Sequence, residues 1–178
     1  ETLSKSQPCV YVANHQSNVD VITMSCLFPH RTVVIGKEEL LWIPLFGLFF
    51  IGSGNIIIDR KDRKDSLKGL KKAADYMLSK KISVWIFPEG TRNHGANELL
   101  PFKKGAFHLA ITAQVPIVPI VNMHLKQYYD YEKRKITPGT IKLRILDPIS
   151  TKGMTQSDIP HLMKLTRSHM QEAFNKLS

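Results

Sequence analysis

Cysteine is scarce in this chain and metal-binding patterns are missing. Cys9 and Cys26 are the two cysteines in 178 residues, and their spacing suits no metal. Neither HExxH nor CxxC occurs, and His30, His94, His124, His161 and His169 stand at no ligand spacing, so no metal is expected. Two reduced, buried thiols are expected instead, which fits a cytosol-facing domain. Acidic residues are also few: 15 Asp and Glu against 25 Lys and Arg, a net charge of +10. No RNP-type aromatic motif, zinc-ligand spacing or recognition-helix pattern accompanies that excess, so no nucleic acid is expected as a partner. Gly/Ser linkers, low-complexity tracts and internal repeats are missing, and 43% of residues are apolar. The chain therefore reads as one domain over residues 1–178, with a real core. No signal peptide is visible. The first residue is Glu1 rather than Met, and an upstream segment is expected.

Residues 40–58, LLWIPLFGLFFIGSGNIII, run for nineteen positions without a charge. That length approaches a membrane span, but Pro44, Gly47, Gly52 and Gly54 interrupt it and residues 55–58 read as a strand. Three placements fit: a spanning helix, ordinary core, or a hydrophobic patch that dips into a membrane surface. Trp42 and Phe49-Phe50 suit the last. Just beyond, residues 60–72 hold seven basic and two acidic side chains. Such a run is either a solvated helix face or a face that meets an anionic surface.

Strands and helices alternate. Strands are predicted at 9–12, 32–35, 55–59, 83–87, 117–122 and 140–146. Helices are predicted at 20–27 behind a cap at Asn18 or Asp20, at 37–41 until Pro44 stops it, at 66–79, at 105–113, and after caps in 155–158. Leu67, Leu70, Ala74, Met77 and Leu78 share one face of the 66–79 helix. Pro119 is awkward inside a strand and argues for an edge or irregular position. The pattern predicts a single α/β domain with a mostly parallel sheet flanked by helices. Ligands gather at the carboxyl ends of such strands. His15, Lys37, Arg60 and residues 89–92 each follow a predicted strand end, which argues that they form one site.

Asn14-His15-Gln16-Ser17-Asn18-Val19-Asp20 sets a histidine in a loop and an aspartate in the first turn of a helix. Imidazole is the natural base near neutral pH. A carboxylate fixes its tautomer and stabilises the imidazolium. On a continuous helix the two would not share a face; the break between loop and helix lets them meet. Taken alone, the heptapeptide also reads as a surface histidine followed by a helix cap. Ser17 lies in no Gly-x-Ser-x-Gly elbow, so the base would activate the substrate's own hydroxyl. Phe87-Pro88-Glu89-Gly90-Thr91-Arg92 leaves a buried strand and turns sharply. Gly90 gives backbone freedom, and Arg92 offers a planar fork suited to phosphate. Glu89 can orient an arginine or accept a substrate hydroxyl. Arg60 can be a second phosphate ligand and Lys37 a weaker one; a salt-bridged turn and exposed basic side chains are the plainer readings. Lys103-Lys104-Gly105 opens a helix whose N-terminal amides favour anions, although solvated lysines explain it as simply.

Four blocks in order resemble the glycerolipid acyltransferases, specifically the 1-acylglycerol-3-phosphate acyltransferases. They are the 14–20 heptapeptide, Gly54-Asn55-Ile56-Ile57-Ile58-Asp59-Arg60, residues 87–92 continuing through 100–108, and Val115-Pro116-Ile117-Val118-Pro119-Ile120-Val121. The resemblance implies transfer of an acyl group from acyl-CoA, as co-substrate and with no cofactor, to the sn-2 hydroxyl of lysophosphatidic acid, giving phosphatidic acid. Glycerol-3-phosphate or another lysophospholipid is the alternative acceptor, and a non-catalytic module that binds anionic membranes is the alternative function. The resemblance implies His15 as general base and Asp20 as its orienting partner. Arg60 and Arg92 would bind phosphate with help from Lys37, while Glu89, Gly90 and Thr91 would form the acceptor pocket. The family's N-terminal membrane helices are not in this stretch, so it resembles a catalytic domain. That domain is expected to be membrane-associated and cytosol-facing, at the endoplasmic reticulum, and to work at a phospholipid membrane surface. Oxyanion donors would come from Asn14 or the backbone N–H groups of residues 16–18.

Overall fold

The computed structural model describes residues 6–58, 63–94, 96–130, 133 and 135–177, with side chains for all but 37, 58 and 63–67. In chain order the elements are β1 (Val10–Ala13), α1 (Asp20–Leu27), β2 (Thr32–Lys37), a 3-10 turn (Glu38–Trp42), α2 (Phe46–Gly52) and β3 (Ile56–Ile58). Then come α3 (Arg63–Lys80), β4 (Ser83–Ile86), α4 (Gly105–Ala113), β5 (Ile117–Asn122), a small antiparallel pair of β6 (Tyr129–Asp130) with β7 (Lys135–Ile136), and β8 (Leu143–Ile145). A 3-10 turn (Gln156–Asp158), with a capping box between Thr155 and Asp158, leads into α5 (Ile159–Leu177).

Every residue of β1 is apolar and fully buried, the signature of a central strand covered on both faces. It pairs in parallel with β4 and β5, while β2 pairs in parallel with β4 and β3. β8 joins β5 antiparallel, giving the order β3-β2-β4-β1-β5-β8. This is the α/β domain with a mostly parallel, helix-flanked sheet that the alternation predicts. The carboxyl ends of all five parallel strands therefore lie along one edge of the sheet.

Side chains alternate between two layers, as strand geometry requires. Val10, Val12, Val84, Ile86, Ile117 and Val121 face α3, α4 and α5, whose Leu70, Ala74, Met77, Phe107, Leu162 and Phe174 complete that layer. Burying a Leu or Met of this kind stabilises the fold by roughly 1.5–3 kcal/mol. Tyr11, Ala13, Trp85, Val118 and Ile120 face the other way, against Met24, Leu27 and Phe28 on and just after α1. Gly36 also faces this second layer. A Cβ there would lie 2.7 Å from the ring of Phe50, so α2 settles on the sheet through that one buried phenylalanine.

Several expectations need correction. Pro119 is not at an edge: β5 is second from the end of the sheet and buried throughout. The Pro119 carbonyl accepts Leu146 N–H at 2.9 Å on the β8 side, and pairing on that side resumes only where Ile149 meets Ile117. The missing N–H falls in that gap. Cys9 is buried but Cys26 is exposed. Leu78 is exposed, and Ala73 takes its place in the core. Val19, not Asn18 or Asp20, is the N-cap residue of α1, and no side chain caps it. Residues 40–58 are not one helix, and among the described side chains only Gly47 and Phe50 of them are buried. They form a 3-10 turn, the seven-residue α2 and β3, with Trp42 81%, Leu45 82%, Leu48 75% and Phe49 68% exposed. Among the described residues no helix is long and apolar enough to cross a membrane. Helix α3, with exposed Lys68, Lys71 and Lys72, packs on the opposite face of the sheet from α2.

Two glycines in α2 separate packing from propensity. A Cβ on Gly47 would fall 2.3 Å from the Leu41 carbonyl oxygen, whereas one on Gly52 meets nothing within 4 Å. Gly47→Ala is expected to lower stability by about 1–3 kcal/mol. Gly52→Ala is expected to leave it unchanged or raise it by up to ~1 kcal/mol. Urea unfolding midpoints of the two variants check this.

Candidate active site

The loop after β1 is folded around one carboxylate oxygen. Asp20 Oδ2 accepts the His15 ring at Nδ1 (2.7 Å), the Gln16 N–H (2.5 Å) and the Ser17 N–H (2.8 Å). Asp20 is fully buried, and its Oδ1 has no partner among the described residues. A carboxylate can only accept here, so the neutral imidazole carries its proton on Nδ1 and leaves the Nε2 lone pair for a substrate. The ring stacks on Phe87 with centroids 4.2 Å apart, and the side chain keeps 17% of its surface exposed. Ser17 Oγ accepts Val19 N–H at 3.1 Å, which makes it a turn residue of this loop.

Neighbouring strands hold this loop on both sides. Asn14 extends the β1–β5 ladder with its side chain, donating to the Asn122 carbonyl (3.1 Å) and accepting Asn122 N–H (2.8 Å). Gln16, buried, donates to Met123 O (2.8 Å) and accepts Leu125 N–H (3.0 Å). From the turn after β4, Glu89 accepts His15 N–H on Oε1 (2.8 Å) and Leu100 N–H on Oε2 (2.9 Å). Burial pushes the Glu89 carboxyl above its ordinary range, while those two N–H donors pull it down. Asn93 N–H and His94 N–H donate to the carbonyls of His15 (2.9 Å) and Gln16 (3.1 Å). Residues 89–94 thus arch over the His15 backbone, turning at Gly90 with φ +69. Thr91 and Arg92, on the arch, are exposed.

His15, Asp20, Glu89, Gly90, Thr91 and Arg92 therefore come together at the carboxyl edge of the sheet. Lys37 ends β2 on that same edge, but its side chain lies outside the described residues, as does all of Arg60. Both Glu89 oxygens are bonded to main chain, so the carboxylate ties two loops rather than facing an arginine or a substrate hydroxyl. The Asn14 amide is buried against Asn122 of β5, and the Gln16 and Ser17 N–H groups are committed to Asp20. They are not open to an oxyanion, which leaves Asn18 N–H of the expected set. Gln16, Asn122 and Phe87 support the site without having been expected to; the one hint was a polar Asn122 closing an otherwise apolar strand. Among the described residues no group of His, Cys, Asp or Glu could hold a metal ion.

The double tie at Glu89 is open to test. Glutamine offers one carbonyl and turns an NH₂ toward the second main-chain donor. Glu89→Gln is expected to lower stability by about 1–3 kcal/mol, the consequence of an unpaired buried donor. In proteolysis, cleavage is expected to quicken in the 89–100 loop; an unchanged melting temperature and digestion pattern would show that the tie is dispensable.

Residues 1–123 match the family described as Acyltransferase. The chain is 44% identical over 173 residues to the 1-acyl-sn-glycerol-3-phosphate acyltransferase alpha of Homo sapiens, covering 97% of this chain and 61% of that protein. It is 38% identical over 170 residues to the 1-acyl-sn-glycerol-3-phosphate acyltransferase of Haemophilus influenzae, covering 94% of this chain and 69% of that protein. Its fold superposes with TM-score 0.76 on the crystal structure of the 1-acyl-sn-glycerophosphate (LPA) acyltransferase PlsC from Thermotoga maritima. That match has 25% identity and covers 99% of this chain and 68% of that one. The chain thus spans about 61% of the length of the human relative.

Proposed function

The chain belongs to the acyltransferase family, and from that premise we propose that it transfers an acyl group from acyl-CoA to the sn-2 hydroxyl of lysophosphatidic acid, giving phosphatidic acid. The observation that carries this reading is the 2.7 Å contact of His15 Nδ1 with buried Asp20, on a loop bonded directly to the segment that bears Arg92. His15 Nε2 takes the hydroxyl proton as the oxygen attacks the thioester carbonyl carbon. Asp20 holds the ring and stabilises the imidazolium. The tetrahedral intermediate collapses, the C–S bond breaks, and the CoA thiolate leaves with the proton returned by His15. Acyl-CoA is a co-substrate, and no metal or cofactor takes part.

Arg92 binds the acceptor phosphate in this scheme, and Arg60 and Lys37 are proposed as further phosphate ligands. Glu89 and Gly90 act through the backbone that presents His15 and Arg92. The acceptor is an amphiphile. The exposed Val21 and Ile22 of α1, together with the apolar surface of Trp42, Leu45, Leu48, Phe49 and Ile51, favour work at a phospholipid membrane surface. A cytosol-facing site at the endoplasmic reticulum membrane completes the reading. The apolar face supports it better than basic α3, which lies across the sheet.

CoA release in phospholipid vesicles, with a panel of acceptors, tests the proposal. Lysophosphatidic acid is expected to be preferred; preference for glycerol-3-phosphate or another lysophospholipid would reassign the acceptor. His15→Ala should lower kcat by about 10²–10⁴, the share of a general base, and Asp20→Asn should lower kcat with the fold intact. Arg92→Ala should chiefly raise the acceptor KM. Near-normal turnover in His15→Ala would remove the histidine from the mechanism.

A further inference from the structure

Lys103 occupies a position in the candidate site that neither of its sequence readings anticipates. The segment that carries it is fastened at several points. Lys103 N–H donates to Pro88 O at 2.7 Å, and Leu100 N–H donates to Glu89 at 2.9 Å. From α5, Gln171 accepts Leu99 N–H at 2.8 Å and Arg167 donates to the Leu99 carbonyl at 2.5 Å. Leu99 and Phe102 are buried anchors on the same stretch. Where Lys103 leaves the main chain is therefore set by the fold.

Its side chain then follows the Gly90 backbone. A Cβ built on Gly90 would fall 2.8, 2.9 and 3.0 Å from Lys103 Cδ, Cε and Nζ. The last three atoms of the lysine lie within 3.0 Å of where a side chain at position 90 would begin. Gly90 thus meets two requirements: a left-handed φ of +69 and room for a crossing lysine. Glu89, one residue before, holds His15; Arg92 follows two residues later. The ammonium shares their turn, is exposed, and makes no hydrogen bond or ion pair among the described residues. Glu89 does not neutralise it, because both its oxygens accept main-chain N–H groups.

We propose that Lys103 is a phosphate-binding residue of this site, its ammonium lying against Gly90, two residues before Arg92. The inference rests on the acyl-transfer reading above. That reaction offers two sources of the same chemistry: the phosphomonoester of the acceptor and the nucleotide phosphates of acyl-CoA. A lysine suits either as a compact point charge, and its slender stem passes over a glycine where a guanidinium would crowd.

Lys103→Met keeps the length of the stem and removes the charge; Lys103→Gln serves if the methionine variant aggregates. Binding of CoA and of lysophosphatidic acid in vesicles is measured by calorimetry for wild type and variant, alongside CoA-release rates and melting temperatures. Lys152→Met, on an exposed turn, controls for net charge. The dissociation constant of one ligand is expected to rise about tenfold, as loss of a charge-assisted contact predicts. The effect should vanish when that ligand is replaced by its phosphate-free counterpart, monoacylglycerol for the acceptor or pantetheine for CoA. A rise confined to lysophosphatidic acid assigns Lys103 to the acceptor, and one confined to CoA assigns it to the donor. If wild type binds both ligands with this dependence but releases no CoA, the acyl-transfer reading fails and the phosphate site stands. Unchanged dissociation constants for both ligands at an unchanged melting temperature overturn the proposal.

Discussion

One buried carboxylate oxygen organises the site. Asp20 Oδ2 takes three donors from the five residues before it, and one of them is the ring of His15. Hydrogen bonds to a charged acceptor contribute about 1.5–3 kcal/mol each, against about 1–3 kcal/mol for leaving a buried polar atom unpaired. The crowded Oδ2 therefore outweighs the bare Oδ1. The same contacts that shape the loop select the Nδ1–H tautomer of the histidine. Loop geometry and the protonation needed for a base have a single cause.

That loop would still drift without its neighbours. The parallel sheet sets β4 and β5 on either side of β1, so the segments following them flank residues 14–20. Asn14 and Gln16 reach one neighbour and Glu89 reaches back from the other. These ties are buried and made largely to main chain, which gives a precision that mobile side-chain pairs lack. Glu89 bonds two loops at once and so couples the seat of His15 to the stretch that ends at Lys103. The chemistry sits at the strand ends because there the segments leaving three neighbouring parallel strands, β4, β1 and β5, meet.

The opposite side of the domain obeys a different constraint. Three helices fill one face of the sheet, but the other carries α1 and the small α2, which rests on Gly36 through Phe50. Trp42, Leu45, Leu48 and Phe49 are left pointing outward. Burying that apolar surface is favourable at about 25 cal/mol per Å², so a lipid surface is a natural neighbour for it.

Periodicity alone was enough for the architecture. Runs such as Val10–Ala13 and Ile117–Asn122 can lie only in a doubly covered sheet, and the spacing of Leu70, Ala74 and Met77 demands a helix packed on one side. It was also enough to set His15 and Asp20 on either side of a loop-to-helix break. It left Pro119 at an edge or an irregular position, because whether a missing N–H matters depends on what the neighbouring strand does at that point. It misassigned Leu78, whose face is decided by how α3 leans on α4. It read Glu89 as a ligand, because a carboxylate looks the same in sequence whether it faces solvent or two main-chain donors. Lys103 lies eleven residues beyond Arg92 and returns to Gly90 only through the fold. Local pattern therefore determined which elements form and which groups could do chemistry. Tertiary structure alone decided what Asn14, the Gln16 side chain and Glu89 Oε1 bond to, since those partners lie 74 to 109 residues away along the chain.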